Sequence, residues 1–218
     1  MTSNGRENGN LVGAVMVVGG GVAGVQSALD LADSGYKVYL VERGLSIGGV
    51  MAQLDKTFPT NDCSMCILAP KLVDTGRHQN IEIITNAEIL GMEGEEGNFR
   101  VKLLKHPRYI DETRCNGCGD CEKQCPVEVP NEFEQCLSTR KAIYKPFAQA
   151  IPNKYSIDKR GKSPCKLACP LGQNAQGYIA LIKEKKFAEA FNLIKENNPI
   201  PIICGRICAH PCEEVCKR

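Results

Sequence analysis

The sequence predicts an α/β protein whose first half forms a parallel sheet and whose second half is rich in cysteine. Three observations support this prediction. A continuous apolar stretch, a glycine-rich turn and a helical pattern follow one another over residues 14–35. A second apolar stretch comes directly afterwards, which completes a strand–helix–strand unit of the doubly wound kind. The chain carries 13 cysteines, and most of them gather in short runs beyond residue 110.

Each element of the predicted sheet has its own pattern. Ala14–Val18 is an unbroken apolar run rich in β-branched residues, which predicts a fully buried parallel strand. In residues 22–35 apolar side chains recur at helical spacing, and Gly35 is typical of a helix end. Lys37–Glu42 predicts a second buried strand, and Ile81–Thr85 predicts a third.

The segments around these strands are less regular. Residues 66–76 predict a further helix, although a proline interrupts the pattern. Residues 86–105 predict two strands around a glycine-rich turn. A connector with one short strand near residues 141–144 spans residues 139–163, and two helical stretches follow in residues 174–199.

The composition limits the class of protein. The 218 residues suffice for one large domain, or for two small ones with a linker. A formal net charge of +2 gives no electrostatic reason to expect nucleic acid or an anionic membrane as a partner. The longest apolar run, Leu11–Val18, is far shorter than the ~20 residues that a membrane span needs. Residues 1–10 are polar and lack an apolar signal core, so we expect a flexible tail and a cytoplasmic protein.

A glycine fingerprint for dinucleotides lies between the first strand and the first helix. Gly19, Gly21 and Gly24 form the pattern G-x-G-x-x-G, and Glu42 ends the next strand 23 residues after Gly19. The first glycine allows a tight turn, the second lets the backbone approach a pyrophosphate, and the third lets helix and strand pack closely. An acidic residue at the end of the second strand accepts hydrogen bonds from ribose hydroxyls and disfavours a 2′-phosphate, which argues against NADP.

The residues after Glu42 indicate which dinucleotide is bound. Arg43 begins the stretch RGLSIGGVM, which contains the glycine pair Gly48 and Gly49. An ER…GG continuation resembles flavoproteins of the two-dinucleotide-binding class, in which the second glycine pair lies against FAD. This resemblance favours FAD over NAD and adds these three residues to the candidate cofactor-binding set.

A compact cysteine run predicts an iron–sulfur cluster. Cys115, Cys118, Cys121 and Cys125 are spaced C-x2-C-x2-C-x3-C and a proline follows, as in bacterial ferredoxins. The chain has only three histidines, so mixed cysteine–histidine zinc sites are a poor alternative. A disulfide framework would normally come with an export signal.

The fourth ligand of this cluster is open on sequence alone. In two-cluster ferredoxins the fourth cysteine of such a run serves the other cluster, yet no second complete run follows here. The fourth ligand is therefore Cys125, Cys169 or Cys136.

A second cysteine group closes the sequence. Its members are a pair before a proline and a run spaced by four, namely Cys165, Cys169, Cys204, Cys208, Cys212 and Cys216. On one continuous helix the run would drift by about 40° per step, and Gly205 and Pro211 argue against such a helix. We predict a loop folded round a [4Fe–4S] cluster, with zinc as the alternative. The whole chain then holds two clusters and at most three.

Cys63 and Cys66 form an isolated C-x2-C pair and are the candidate catalytic residues. A pair near a dinucleotide site indicates a redox dithiol, a pair of cluster ligands or simply buried thiols. Disulfide-reductase flavoproteins usually carry their pair only a few residues after the glycines, whereas Cys63 comes 14 positions after Gly49.

Three stretches within residues 11–158 carry a family resemblance. They are GGGVAGVQSALDLADSGYKVYLVER, GGVMAQLDKTFPTNDCSMCILAPKLVDTGRH and RCNGCGDCEKQCPVEVPNEF. They resemble the A-type subunit of heterodisulfide reductase with its ferredoxin-type insert. The resemblance implies an FAD-bearing, [4Fe–4S]-rich component of cytosolic complexes in anaerobes. It also implies other reductase subunits, a hydrogenase, formate or NAD(P)H module that supplies electrons, and ferredoxin as partners. Members of this family are associated with flavin-based electron bifurcation.

Residues 164–218 resemble a different module. SPCKLACPLGQNAQGYIALI, FAEAFNLIKENNPIP and CGRICAHPCEEVCKR are similar to the N-terminal iron–sulfur domain of dihydropyrimidine dehydrogenase and of the glutamate synthase small subunit. In those proteins a flavin and NADPH module follows directly. Two cysteines that usually precede the C-x3-C-P of this module are missing here, which leaves its cluster number open.

Motifs and resemblances together predict four segments. They are a flexible tail (1–10), a partial FAD-binding Rossmann-like domain (11–110), a ferredoxin-type [4Fe–4S] segment with its connector (111–163), and an α-helical iron–sulfur domain (164–218). A second G-x-G-x-x-G is missing from the sequence, and so is the closing part of a flavin domain. We therefore expect this chain to be a piece of a longer protein.

Three functions are compatible with these features. The leading one is an electron-transfer oxidoreductase component of the heterodisulfide reductase A type, which passes electrons between a flavin and iron–sulfur clusters. The second is an NAD(P)H-dependent oxidoreductase of the glutamate synthase small-subunit type. The third is a ferredoxin-like carrier or scaffold without catalysis.

Overall fold

The computed structural model describes residues 13–95, 97–159 and 161–216. The chain divides into two compact units, residues 1–158 and 159–218. The predicted flexible tail, residues 1–10, lies outside the described residues. In the part of the chain that is described, no helix is long and apolar enough to span a membrane.

A three-stranded parallel sheet forms the centre of the first unit. Its strands are β1 (Ala14–Val18), β2 (Lys37–Glu42) and β3 (Ile81–Thr85), with β2 in the middle. Helix α1 (Val22–Asp33) connects β1 to β2, and helix α2 (Ser64–Arg77) lies between β2 and β3 in the chain. The strands lie at the predicted positions, and α2 extends slightly beyond its predicted bounds.

β1 is not the fully buried strand that its composition predicts. Its central residues are half-buried, and Val18 at its end is 61% exposed. Among the described residues β1 pairs with β2 alone, so it forms an edge of the sheet. β2 has a neighbour on both sides and buries Val38, Leu40 and Val41. An apolar run therefore identifies a parallel strand, whereas its burial depends on what lies beside it.

The helices and the central strand share one hydrophobic core. α1 contributes Val25 and Ala28, β2 contributes Leu40, and α2 contributes Leu68 and Leu72, all fully buried. Positions three or four apart lie on one face of a helix, which explains why these helical residues reach the core together. This packing fixes the start of α1 against the end of the sheet.

An antiparallel hairpin and several short elements complete the first unit. β4 (Ala87–Glu95) pairs with β5 (Asn98–Lys105), which agrees with the predicted pair of strands. A bulge interrupts the pairing between Ile89 and Gly91. The cysteine-rich part contains only short elements: α3 (Asp120–Lys123), β6 (Glu128–Pro130), β7 (Thr139–Lys141), β8 (Ile143–Tyr144) and β9 (Ser156–Ile157).

The predicted connector is in fact packed against the sheet. It contains three short strands rather than one, and the Ile47 amide donates a hydrogen bond of 2.9 Å to the Ile151 carbonyl. The ring of Phe147 stacks on Phe133, with 5.3 Å between the centroids. Phe147 and Ile151 both contact the hydrophobic core. The sequence did not indicate this because the apolar residues follow neither a helical nor a strand period.

The second unit is helical in its described part. Its helices are α4 (Pro164–Ala168), α5 (Ala175–Lys183), α6 (Phe187–Lys195), α7 (Pro201–Ile207) and α8 (Pro211–Glu214). α5 and α6 are the two helical stretches that the sequence predicts. The terminal cysteine run is split between α7 and α8, with His210 in a left-handed conformation (φ +54°) before Pro211. The run is thus not one continuous helix, as its glycine and proline predict.

Candidate functional site

The glycine loop between β1 and α1 can be built only from glycine at two positions. Gly19 has a φ of +99°, a region that side-chain-bearing residues rarely adopt, and its amide donates to the Val41 carbonyl at 2.8 Å. A Cβ on Gly24 would overlap the carbonyl oxygen of Gly19. The turn therefore requires a residue without a side chain at position 19, and the close approach of α1 to β1 requires one at position 24.

Gly21 leaves open space at the start of α1. A Cβ there would meet no described atom within 4 Å, and Gly21 is the residue that precedes the first turn of the helix. The predicted second glycine pair closes on this loop. The Gly48 amide donates to the Gly20 carbonyl at 2.7 Å, and a Cβ on Gly49 would lie 2.9 Å from the Gly21 Cα. The two glycine segments thus form one cradle of backbone groups.

Glu42 braces this cradle. One carboxylate oxygen accepts a hydrogen bond from the Gly20 amide and the other accepts one from the Gly44 amide, both at 2.5 Å. Arg43, which lies between Glu42 and Gly44 in the chain, is exposed. Each carboxylate oxygen has further acceptor capacity, so this bracing leaves room for the predicted ribose contacts.

The cradle fits a dinucleotide. A pyrophosphate requires open space and backbone amides, which the region beside Gly21 and the positive end of α1 provide. A ribose requires a hydrogen-bond acceptor, which the nearby Glu42 carboxylate provides. The assignment of Gly19, Gly21, Gly24 and Glu42 as FAD-binding residues remains a prediction.

The ferredoxin-type run forms a loop with two left-handed glycines. Gly117 and Gly119 have φ values of +78° and +85°, and α3 begins directly after them. Burial raises the pKa of the Cys121 thiol, and the negative charges of Cys115 and Cys118 raise it further. Cys115 and Cys118 therefore both lie within electrostatic reach of Cys121.

Three residues that the sequence did not single out seat this cysteine loop. Lys154 Nζ donates to the Cys115 carbonyl at 2.5 Å, and Tyr155 Oη donates to Glu122 Oε2 at 2.9 Å. Asn153 lies so close that a Cβ on Gly117 would be 2.5 Å from its side chain. Burial, then the bond to Glu122, raises the pKa of Tyr155 to about 12. No periodic pattern marks these residues, since they belong to the segment predicted as a connector.

The cysteine run offers thiols of the kind that a [4Fe–4S] cluster binds. All 13 cysteines are free thiols in the described part of the chain. Within that part no three cysteine, histidine or carboxylate side chains are grouped as a single ion would require. A [4Fe–4S] cluster is larger than one ion and takes thiolates that stand further apart, and a short glycine-bearing loop offers such a set.

The second unit gathers four cysteines around Tyr178. Burial raises the pKa of Tyr178, and the negative charges of four thiols raise it further: Cys212, Cys165, Cys208 and Cys169. These thiols belong to α4, α8 and the residues directly after α4 and α7, and α4 packs against α8. The structure thus associates the pair before the proline with the terminal run. Cys204 and Cys216 are not among these four neighbours of Tyr178.

The C-x2-C pair lies at the start of α2. Cys63 is the N-cap residue of that helix, and its Sγ accepts a hydrogen bond from the Cys66 amide at 3.3 Å. Hydrogen bonds from the side chain and backbone of Cys66 lower the pKa of Cys63, whereas the pKa of Cys66 is raised by Cys63. Both residues are exposed. An accessible, readily ionised thiol beside a second thiol is the arrangement of a redox dithiol, and it also suits a cluster ligand.

We expect Cys63 to be the more reactive thiol of this pair. Its lowered pKa means that the thiolate is present at a lower pH than in an ordinary thiol, so alkylation by iodoacetamide should begin at lower pH for Cys63 than for Cys66. Peptide mass spectrometry after timed alkylation of the reduced chain measures both rates. The variant Cys66→Ala removes the side-chain donor and should shift the pH profile of Cys63 upward. Equal rates at the two thiols would contradict the predicted order.

Family models match three segments of the chain. "FAD dependent oxidoreductase" covers residues 14–88, "4Fe-4S binding domain" covers residues 109–130, and "dihydropyrimidine dehydrogenase domain II, 4Fe-4S cluster" covers residues 159–218. The predictions of FAD and of [4Fe–4S] clusters as cofactors are thereby confirmed. The matched segments are those of an iron–sulfur flavoprotein oxidoreductase with ferredoxin-type domains.

Several relatives share extensive sequence identity with the chain. One of the A-type iron–sulfur subunits of CoB–CoM heterodisulfide reductase in Methanopyrus kandleri is 62% identical over 142 residues, which cover 65% of this chain and 22% of that protein. The corresponding A-type subunit of Methanocaldococcus jannaschii is 62% identical over 171 residues, which cover 78% and 25%. The crystal structure of L-proline dehydrogenase from P. horikoshii is 27% identical, with a TM-score of 0.37, over 44% of this chain and 19% of that one.

The two A-type subunits confirm the predicted resemblance to the A-type subunit of heterodisulfide reductase. The chain spans about a quarter of the length of the curated relatives that it matches.

Proposed function

We propose that this chain is part of an electron-transfer oxidoreductase of the heterodisulfide reductase A type, in which a flavin exchanges electrons with [4Fe–4S] clusters. One observation carries the proposal. A single segment joins the two candidate redox loops, because the Ile151 carbonyl accepts from the Ile47 amide beside the glycine cradle. Two and three residues further on, Asn153 and Lys154 contact the cysteine loop at Gly117 and Cys115. Flavin and cluster loops thus belong to one continuous set of contacts.

The chain's own residues have distinct roles in this proposal. Gly19, Gly21 and Gly24 admit the pyrophosphate, and Glu42 holds the cradle and faces the ribose. FAD, when bound, supplies the exchange between electron pairs and single electrons. Lys154 and Tyr155 keep the cysteine loop in place, which limits the rearrangement that accompanies electron transfer.

The finer domain assignments belong to the same proposal. The parallel sheet with α1 and α2 is the beginning of a Rossmann-like FAD-binding domain, and residues 164–218 form a helical iron–sulfur domain. In the second unit we assign Cys165, Cys169, Cys208 and Cys212 as one ligand set, on the basis of their common position around Tyr178. In the first unit Cys125 is the proposed fourth ligand, because it belongs to the same cysteine run and is buried.

We propose that the C-x2-C pair either acts as a redox dithiol or binds a further cluster. The lowered pKa of Cys63 supports a nucleophilic thiol, whereas the exposure of both residues leaves them accessible to a cofactor or a partner.

Partners are proposed from the names of relatives. One relative is the A-type component of an H(2):CoB-CoM heterodisulfide,ferredoxin reductase in Methanothermobacter thermautotrophicus. Another is that of an H(2)/formate:CoB-CoM heterodisulfide,ferredoxin reductase in Methanococcus maripaludis. By analogy with these names, the complete protein assembles with other reductase subunits and with a hydrogenase or formate module. The family resemblance adds an NAD(P)H module as an alternative electron source and a cytoplasmic location to this proposal. The complete protein exchanges electrons with ferredoxin, and bifurcation at the flavin is the corresponding mechanism.

The second candidate function is an NAD(P)H-dependent oxidoreductase of the glutamate synthase small-subunit type. The match of residues 159–218 to a dihydropyrimidine dehydrogenase-type cluster domain favours it. The 62% identity over 142 residues to a heterodisulfide reductase subunit outweighs this match.

The test is a measurement of flavin, iron, acid-labile sulfide and zinc per chain after anaerobic purification, together with the visible spectrum. Flavin bands above a broad iron–sulfur absorption, reduced by an enzymatic electron donor, are the expected result. Iron and sulfide without flavin would leave only the ferredoxin-like carrier. Zinc without sulfide would overturn electron transfer altogether.

A further inference from the structure

Arg108 is a fully buried cation between the two candidate redox loops. Its side chain has no exposed surface, and its Nη2 donates to the Leu45 carbonyl and, at 2.8 Å, to Thr85 Oγ1. Leu45 belongs to the loop that Glu42 holds against the glycine cradle, and Thr85 ends β3. One side of the guanidinium is therefore attached to the flavin-binding part of the unit.

The other side of Arg108 faces the beginning of the cysteine loop. Nε lies 3.6 Å from Glu112 Oε2, three residues before Cys115, and the Cys115 amide donates to the Asp111 carbonyl at 3.0 Å. The Arg108 carbonyl accepts from the Ile157 amide at 2.9 Å, so its backbone is tied to β9 as well. Arg108 is held on both sides and cannot swing away from the loop without breaking these contacts.

The positive charge of Arg108 is incompletely balanced. Its Nε and Nη1 find no hydrogen-bond partner among the described residues. Glu112 is 37% exposed and also pairs with Lys105 at 3.1 Å, so its charge is shared and partly screened by solvent. Burial lowers the pKa of Arg108, while the negative charges of Glu112, Tyr144 and Cys115 oppose that effect. A guanidinium nevertheless stays protonated in proteins. A buried positive charge in this position favours any added negative charge nearby.

We propose that Arg108 raises the reduction potential of the cluster held by the run Cys115–Cys125. The proposal rests on the proposed function, since it requires that cluster. Each electron that the cluster accepts adds one negative charge, and the buried guanidinium stabilises the reduced cluster more than the oxidised one. Arg108 thereby makes the cluster a better acceptor for electrons that leave the flavin side of the unit.

The test is a potentiometric titration of the loaded chain with dithionite, followed by electron paramagnetic resonance. Arg108→Gln should lower the potential so that the ratio of reduced to oxidised cluster falls about tenfold at a fixed ambient potential, which is ~59 mV for a one-electron couple. Arg108→Lys keeps the charge and should restore most of the wild-type potential. A purely structural role would give the same result for both variants.

Arg114 provides the matched control, because it is exposed and adjoins Cys115 in the sequence. Arg114→Gln removes the same charge where solvent screens it, so its shift should be clearly smaller than that of Arg108→Gln. An unchanged potential in a fully loaded Arg108→Gln variant, or equal shifts in both variants, would overturn the proposal. If Arg108→Gln does not fold, Arg108→Met decides, since it removes the same charge and places an apolar side chain at the buried position. An unchanged potential in that variant refutes the role of Arg108. A wild-type chain without sulfide would instead overturn the proposed function together with this inference.

Discussion

Replacing Gly24 by alanine is expected to abolish FAD binding. The added Cβ would overlap the Gly19 carbonyl oxygen, so α1 must move away from the turn that receives the pyrophosphate. We expect the affinity for FAD to fall at least 100-fold, which corresponds to roughly 2.8 kcal/mol. Quenching of flavin fluorescence on titration with the apoprotein, or the flavin content after purification, measures the effect.

Gly91→Ala is the matched control for this variant. Gly91 lies in β4 of the same unit, an added Cβ would meet no described atom within 4 Å, and its φ is not positive. It should bind FAD as the wild-type chain does, and circular dichroism should show the same helix and strand content in all three proteins. A Gly24→Ala variant that retains wild-type affinity would show that the flavin is not held by this loop.

Replacing Cys118 by serine is expected to remove one complete cluster. Cys118 is exposed, so the change creates no cavity in the protein without its cofactor, and the loss of a thiolate acts on the cluster alone. With two clusters per chain, iron and acid-labile sulfide should both fall by about half, while the flavin content stays unchanged. A variant that keeps all of its iron and sulfide would exclude the run from Cys115 to Cys125 as the ligand loop.

The same measurement on two further variants assigns the fourth ligand. Cys125 is buried within the loop, whereas Cys136 is exposed with a left-handed backbone (φ +62°). Cys125→Ser should therefore lose the cluster as Cys118→Ser does, and Cys136→Ser should keep it. Loss of iron in Cys136→Ser with full loading of Cys125→Ser would reverse the assignment.

The regular elements could be read from the sequence because their signals are local. The strands β2 and β3, the helix α1 and the pair α5–α6 lie where runs and periods of apolar residues predict them. The break between α7 and α8 follows from a proline. The predicted burial of β1 was wrong, because burial is a property of the neighbouring chain and not of the strand's own composition.

The connector shows the limit of such reasoning. Residues 139–158 carry no periodic pattern, yet Phe147 and Ile151 pack on the core and Lys154 holds the carbonyl of Cys115. These contacts join residues that are distant in sequence, so no local spacing indicates them.

A dinucleotide site and iron–sulfur clusters follow from residue spacing, because spacing defines a loop that can admit a pyrophosphate or wrap a cluster. The choice of FAD over NAD came from the resemblance to flavoproteins. The glycines, Glu42 and the cysteine runs could be named without reference to any long-range contact. The neighbours of these residues are decided by the tertiary structure. There Glu42 braces the glycine cradle, Cys165 and Cys169 join the terminal run, and Arg108 is buried between the two loops. Burial and the partial balance of a charge arise from many residues at once, and they appear only when the chain has folded.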